Sequence, residues 1–145
     1  HEFIFEGLIG VRNDGKWGFI DSAGKWIIEA KYEGVDRFEN RLCSVKIDGK
    51  WGFVNKKGKM VIEAQFSGVD SFASNGLALV EVGGDAYGYI NDNGEFEINP
   101  KFDQAMGFYY SDGYTVVMFG EDTRVIKKNG KYLGKESFDN IHIGI

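Results

Sequence analysis

Gly15-Lys16-Trp17-Gly18-Phe19-Ile20-Asp21 returns as Gly49-Lys50-Trp51-Gly52-Phe53-Val54-Asn55 and, more loosely, as Asp85-Ala86-Tyr87-Gly88-Tyr89-Ile90-Asn91. Trp51 follows Trp17 by 34 residues and Tyr87 follows Trp51 by 36, so the chain is a tandem repeat. A period of that length marks supersecondary units, none of which buries its apolar face alone; neighbours share a core. Gly24, Gly58 and Gly94 stand seven residues after Trp17, Trp51 and Tyr87. Gly130 stands seven after Thr123, which exposes a fourth, degenerate unit.

The units fill one domain over 1–145: a repeat tail at 3–14, repeat one at 15–48, repeat two at 49–83, repeat three at 84–122 and a degenerate capping repeat at 123–145. In the leading tail, Leu8-Ile9-Gly10-Val11 matches Leu42-Cys43-Ser44-Val45, so the array is expected to extend upstream. Twenty-one glycines against one proline, with short runs of Val, Ile, Phe, Tyr and Trp, weaken helices and favour turns and strands. The reading is an all-β fold of tandem three-stranded antiparallel units, about ten strands in total. It expects them stacked in an open, curved solenoid-like or partial-propeller array.

Within a unit, Cys43, Val45 and Ile47 alternate onto one face, expected to be the core face, and Ala78, Val80 and Val82 repeat the pattern. Asp48-Gly49 suits a two-residue type I′ hairpin turn, since both positions need positive φ. The Trp-Gly strand returns antiparallel as the buried central strand. Its glycine is expected to avoid collision with a neighbouring aromatic or with the next repeat's backbone. Asp21-Ser22-Ala23-Gly24 and Asn55-Lys56-Lys57-Gly58 read as type I turns closed by a left-handed glycine, leading into Trp26-Ile27-Ile28-Glu29-Ala30 and Met60-Val61-Ile62-Glu63-Ala64. Between units, Tyr32, Val35 and Phe38 recur as Phe66, Val69 and Phe72 and as Phe102, Ala105 and Phe108. The spacing of three predicts a helical turn or a coiled loop, with these residues in the core rather than in an aromatic ligand stripe.

Lys-Trp-Gly-Phe-Ile-Asp, the turn glycine and a following Glu-Ala-x-Tyr/Phe recur together twice, and on these residues nearly the whole chain resembles the WG-repeat (KWG-repeat) family of bacterial tandem arrays. The resemblance implies a β-repeat scaffold. Some similar proteins look like accessory binding modules, or like immunity proteins that neutralise a secreted toxin. No catalytic residue is carried over, because the motif contains none. Repeat three departs through Tyr87 and Pro100, and repeat four through Thr123 and Arg124 in place of Trp-Gly.

Catalytic chemistry has little to stand on. The two histidines, His1 and His142, lie near the ends, and Cys43 is the single cysteine, which leaves neither an internal disulfide nor the makings of a zinc site or a Cys/His nucleophile. Glu29, Glu63 and Glu97 read as one column of strand carboxylates, with Lys31 and Lys101 after them. That is the polar half of an alternating pattern rather than a glycosidase pair. Gly83-Gly84-Asp85 lacks the residues of a phosphate loop, and Asp92-Asn93-Gly94-Glu95 lacks calcium-loop spacing. The expectation is no enzyme, no metal and no cofactor. No apolar run approaches the roughly 18 residues of a membrane span, and the expected compartment is the cytoplasm.

Charge carries the functional reading. The net charge of −5 argues against nucleic acid as a partner. Residues 84–122 hold eight carboxylates against Lys101 alone, a balance of −7, while the rest of the chain sums to +2. Units repeated for stability alone have no need of that asymmetry. The same repeat holds an insertion, Phe108-Tyr109-Tyr110-Ser111-Asp112-Gly113-Tyr114, two residues longer than Phe38 to Leu42. The expected partner surface therefore comprises Asp85, Asp92, Glu95, Glu97, Asp103, Tyr109, Tyr110, Asp112, Glu121 and Asp122. Its expected occupant is a basic protein, such as a nuclease toxin, bound by a chain that is otherwise monomeric. A carbohydrate or cell-wall module using exposed tryptophans, and a structural fragment of a longer array, are the alternatives; Trp17 and Trp51 are expected to be buried, which disfavours the first.

Overall fold

In the computed structural model, residues 3–5, 7–84, 86–108 and 112–134 are described. They form strands only: β1 (Phe3–Phe5), β2 (Leu8–Asn13), β3 (Lys16–Ile20), β4 (Trp26–Tyr32), β5 (Gly34–Glu39), β6 (Leu42–Ile47), β7 (Lys50–Asn55), β8 (Met60–Phe66), β9 (Gly68–Val69), β10 (Ala78–Val82), β11 (Ala86–Ile90), β12 (Phe96–Phe102), β13 (Gln104–Ala105), β14 (Tyr114–Phe119) and β15 (Asp122–Lys127). The fold is all-β, with fifteen strands among the described residues where about ten were expected. The difference lies in the linkers. Residues 34–39 form a fourth strand rather than a helical turn or coil, so the second sheet runs β5-β6-β7-β8 and the first β1-β2-β3-β4. Their three-residue spacing arises because the register of β5 against β6 shifts between Val35 and Phe38, a bulge that puts both on the core side.

The chain divides into two compact units, His1–Ser71 and Phe72–Ile145. In the first, Leu8, Phe19, Ile28, Tyr32, Phe38, Cys43, Val45 and Val54 make one buried cluster. The linker aromatic Phe38 meets Phe19 edge to face at 5.0 Å between centroids. In the second, Phe108 meets Tyr89 in the same way at 5.2 Å, within a cluster that includes Ile98, Phe102, Val117 and Ile126. The linker aromatics are therefore core residues, as their recurrence in every unit implied. Leu42 and Ser44 are buried along with Cys43 and Val45, so both faces of β6 are covered at its start.

The hairpin turn has the expected backbone, with φ of +50° at Asp48 and +80° at Gly49. The turns after the Trp-Gly strands also hold: Gly24 N donates to Asp21 O at 3.0 Å, and the Asp21 carboxylate accepts from Ala23 N and Lys25 N, both at 2.9 Å. Asn55 and Asn91 cap their turns in the same way. At Gly58 a positive φ of +83° coincides with crowding, because a Cβ there would lie 3.2 Å from the Ile28 side chain of the preceding repeat.

The Trp-Gly signature has a cause that differs from the expected one. In β3 against β4, Trp17 pairs with Tyr32 and Phe19 with Ile28, so three residues of β4 arch over Gly18 alone. A Cβ on Gly18 would lie 2.5 Å from Ile28 O and 2.6 Å from Ala30 N. Gly52 meets Ile62 O and Ala64 N at the same two distances. The obstacle is the bulged third strand of the same unit, not an aromatic and not the next repeat. Pro100 occupies the arch over Gly88, at the position of Ala30 and Ala64. Bulges are where a residue without an N–H can enter a strand, so this departure keeps the plan. Trp17 and Trp51 are half-buried rather than buried, because each lies at the strand end nearest the hairpin turn.

Candidate functional site: the two ends of the third repeat

The described acidic residues of the third repeat are all exposed, and the structure brings them together in two groups rather than one. Asp92, Glu95 and Glu97 lie at the turn between β11 and β12, and Asp112 lies just before β14. Asp103 follows β12, while Glu121 and Asp122 lie beyond the far end of β14. Strand β14 runs from Tyr114 to Phe119, about 16 Å at the usual rise per residue, so the groups sit at opposite strand ends. Asp85, Tyr109 and Tyr110 lie outside the described residues, as does His142.

Several of these carboxylates are tied into the fold. Asp103 accepts a hydrogen bond from Gly120 N at 2.5 Å, bracing the β14–β15 turn. Glu33, which likewise follows a third strand directly, accepts from Asp48 N at 2.5 Å in the first unit. Asp112 accepts from the Ser74 hydroxyl through its carboxylate and from Asn75 Nδ2 at 2.9 Å through its carbonyl. Glu97 Oε1 accepts from Asn91 Nδ2 at 2.9 Å. Glu95 Oε1 also accepts from Asn91 Nδ2 at 3.4 Å, which leaves Asp92, Glu121 and Asp122 as the carboxylates best placed to meet another molecule.

Strand register also corrects the glutamate column. Phe19, Phe53 and Tyr89 pair with Ile28, Ile62 and Ile98, so Glu97 is equivalent to Ile27 and Val61, and the residue equivalent to Glu29 and Glu63 is Asn99. Glu29 and Glu63 are exposed, as the alternating pattern implied.

Sequence reasoning missed the apolar part of the far end. Phe119 is 52% exposed and Met118 37%, next to Gly120, Glu121 and Asp122 on the β14–β15 hairpin. Aligned by register, Met118 stands where the other first strands carry Arg12, Lys46 and Glu81. A methionine replacing a column of charges was the available signal. The spacing shows it, since Met118 stands five residues before Thr123 as Arg12 and Lys46 stand five before Trp17 and Trp51.

The fourth unit departs at its centre. Arg124 takes the position of the bulge glycine, lies 4.1 Å from the Tyr132 ring centroid, and donates to Gly134 O at 3.0 Å. Stacking on an aromatic face suits a guanidinium. In the first unit, burial pushes the Cys43 thiol up to about 12, and burial, followed by the nearby Cys43, raises Tyr32. Cys43 is thus an inert core thiol rather than a nucleophile. Among the described residues, no three of His, Cys, Asp and Glu are grouped as a metal site requires, and no helix is long and apolar enough to cross a membrane.

Strand order, bulges and turns define an all-β tandem-repeat protein built from one hairpin-and-bulge plan. The chain belongs to the WG containing repeat family, whose model matches residues 17–51, 51–84 and 87–121. The matched repeats begin at the Trp-Gly strand, whereas the second sheet begins at β5, so sequence repeat and sheet are offset along the chain. A comparison with curated proteins finds no match.

Proposed function

We propose that this chain is a non-catalytic protein-interaction module that receives a basic protein on the far hairpin of its third repeat. The observation that carries the reading is Phe119, 52% exposed, flanked by Met118 and by the carboxylates of Glu121 and Asp122. An aromatic anchor with an acidic rim is the arrangement by which interfaces combine affinity with orientation, the apolar centre supplying binding energy and the charges steering encounter. The −7 balance of residues 84–122 adds a field favouring a cationic partner. In its concrete form the module is an immunity protein that neutralises a basic toxin such as a nuclease.

The test is capture from source-cell lysate by wild type, by Met118→Lys/Phe119→Ser and by Glu121→Gln/Asp122→Asn, each first shown to fold. A basic protein retained by wild type, released by moderate salt and lost from both variants supports the reading. The same proteins on all three baits, or none on any, contradicts it.

A further inference from the structure

A different part of the second unit departs from the repeat plan in a coordinated way. At the start of the first strand, the pairing of Leu42 with Asn55 has a counterpart in Tyr114 with Lys127, and Leu8 and Leu77 hold the same place, just before Ile9 and Ala78, which pair with Ile20 and Ile90. Leu8, Leu42 and Leu77 are buried at this position; Tyr114 is 43% exposed. At the second residue of the third strand, Ile27, Val61 and Leu133 are apolar, whereas repeat three has Glu97. At the head of the turn, Asp21, Asn55 and Asn91 cap the backbone with a side-chain oxygen, but the last turn has Lys127, and Asn129 accepts from Lys131 N instead.

These three departures meet in one place. Glu97, Gly113, Tyr114, Lys127, Lys128 and Asn129 line a concavity of about 490 Å³. A second, of about 310 Å³, shares Glu97 and Lys128 and adds Asn75, Asn91 and Asp92. Both lie in the lower part of the size range of small-ligand sites. The floor is held rigidly, since Lys128 N donates to Gly113 O at 3.1 Å and Glu97 is oriented by Asn91. Substitutions that only relieved packing would be scattered over the repeat, whereas these three surround one groove with an aromatic face, a carboxylate and an ammonium.

The geometry points to a binding site for an acidic saccharide. The flat, exposed ring of Tyr114 offers a platform for the C–H face of a sugar ring. Glu97 accepts from hydroxyls, and the amides of Asn75, Asn91 and Asn129 supply groups able both to donate and to accept. Lys127 and Lys128 line the larger concavity with Glu97 as its one carboxylate, so a uronate carboxylate pairs on the Lys127 side, away from Asp92 of the smaller concavity. The carboxylate, ammonium and amide groups around the Tyr114 ring favour a polyhydroxylated ligand over a lipophilic one.

The test uses digalacturonate and its neutral counterpart digalactose, titrated against the whole chain and followed by amide NMR shifts. Digalacturonate is expected to perturb residues 97, 113–114 and 127–129. Tyr114→Leu and Lys127→Asn, which restore the residues of the equivalent positions and so keep the fold, are each expected to weaken it about tenfold or more. Perturbations confined to other residues, no perturbation at all, equal binding of digalactose, or unchanged binding in both variants would overturn the assignment.

Discussion

The second repeat and the third are built on the same backbone plan and differ in what their side chains leave for other molecules. In the second, Trp51-Gly52-Phe53 lies under the arch of Ile62–Phe66, Leu77 is buried, and the turn from Asn55 to Gly58 packs on Ile28. In the third, Gly88 lies under the same arch and Ile98 meets Gly130 of the next repeat, but Tyr114 and Glu97 have replaced apolar residues and Met118 a charged one. Positions fixed by backbone contact are kept, and positions fixed only by side-chain packing are free to change. The changes collect at the two strand ends of the third repeat, which is where binding is proposed.

Substitutions can break that comparison or sharpen it. The largest effect is expected from Gly52→Val. Its Cβ alone would lie 2.5 Å from a carbonyl oxygen, and a branched side chain has nowhere to go, so a loss of about 4 kcal/mol or more is expected in urea unfolding. Alkaline titration comes next. Burial raises the Cys43 thiol from 9.0 to about 12, so above pH 9 the unfolded chain loses a proton that the folded chain keeps. The stability from this group is full below pH 9 and is lost as pH rises towards 12. Wild type should therefore lose about 4 kcal/mol more than Cys43→Ala across that window. The raised Tyr32 acts in the same direction in both proteins. Replacing the turn cap by Asn55→Ala removes acceptors for Lys57 N and Lys59 N and should cost about 1 kcal/mol. The smallest effect is expected from Ala64→Pro. Proline inside a strand ordinarily removes a ladder hydrogen bond, but Ala64 is in the arch where the third repeat carries Pro100, so the cost should stay below about 1 kcal/mol. A larger loss would show that the two arches are not equivalent.

Much of the fold was legible because its determinants are local. Asp48-Gly49 needs positive φ twice, the turn glycines need it once, and alternation in Leu42–Ile47 places Cys43 and Val45 in the core. The fourth strand was missed because a bulge between Val35 and Phe38 disguises a strand as a three-residue period. The role of the Trp-Gly glycine was misplaced because the arch over it is a pairing irregularity, which no single strand's sequence displays. Glu97 was misaligned by spacing alone: Glu29 and Glu63 stand five residues after Gly24 and Gly58, and the residue five after Gly94 is Asn99. In the candidate site, charge excess was visible by counting. Its division between two strand ends, the exposure of Met118 and Phe119, and the convergence of Glu97, Tyr114 and Lys127 depend on which strand lies beside which.

Backbone contact holds the repeat, and its departures are where binding is proposed. That division is tested most directly by comparing urea unfolding of Gly52→Ala and Tyr114→Leu with that of wild type. Alanine adds only a methyl group at Gly52, with no positive φ to complicate the reading, and leucine at 114 restores the residue of the equivalent positions. The account predicts a loss of about 2 kcal/mol or more for the first, and unchanged or raised stability for the second. A neutral Gly52→Ala together with a destabilised Tyr114→Leu would contradict it.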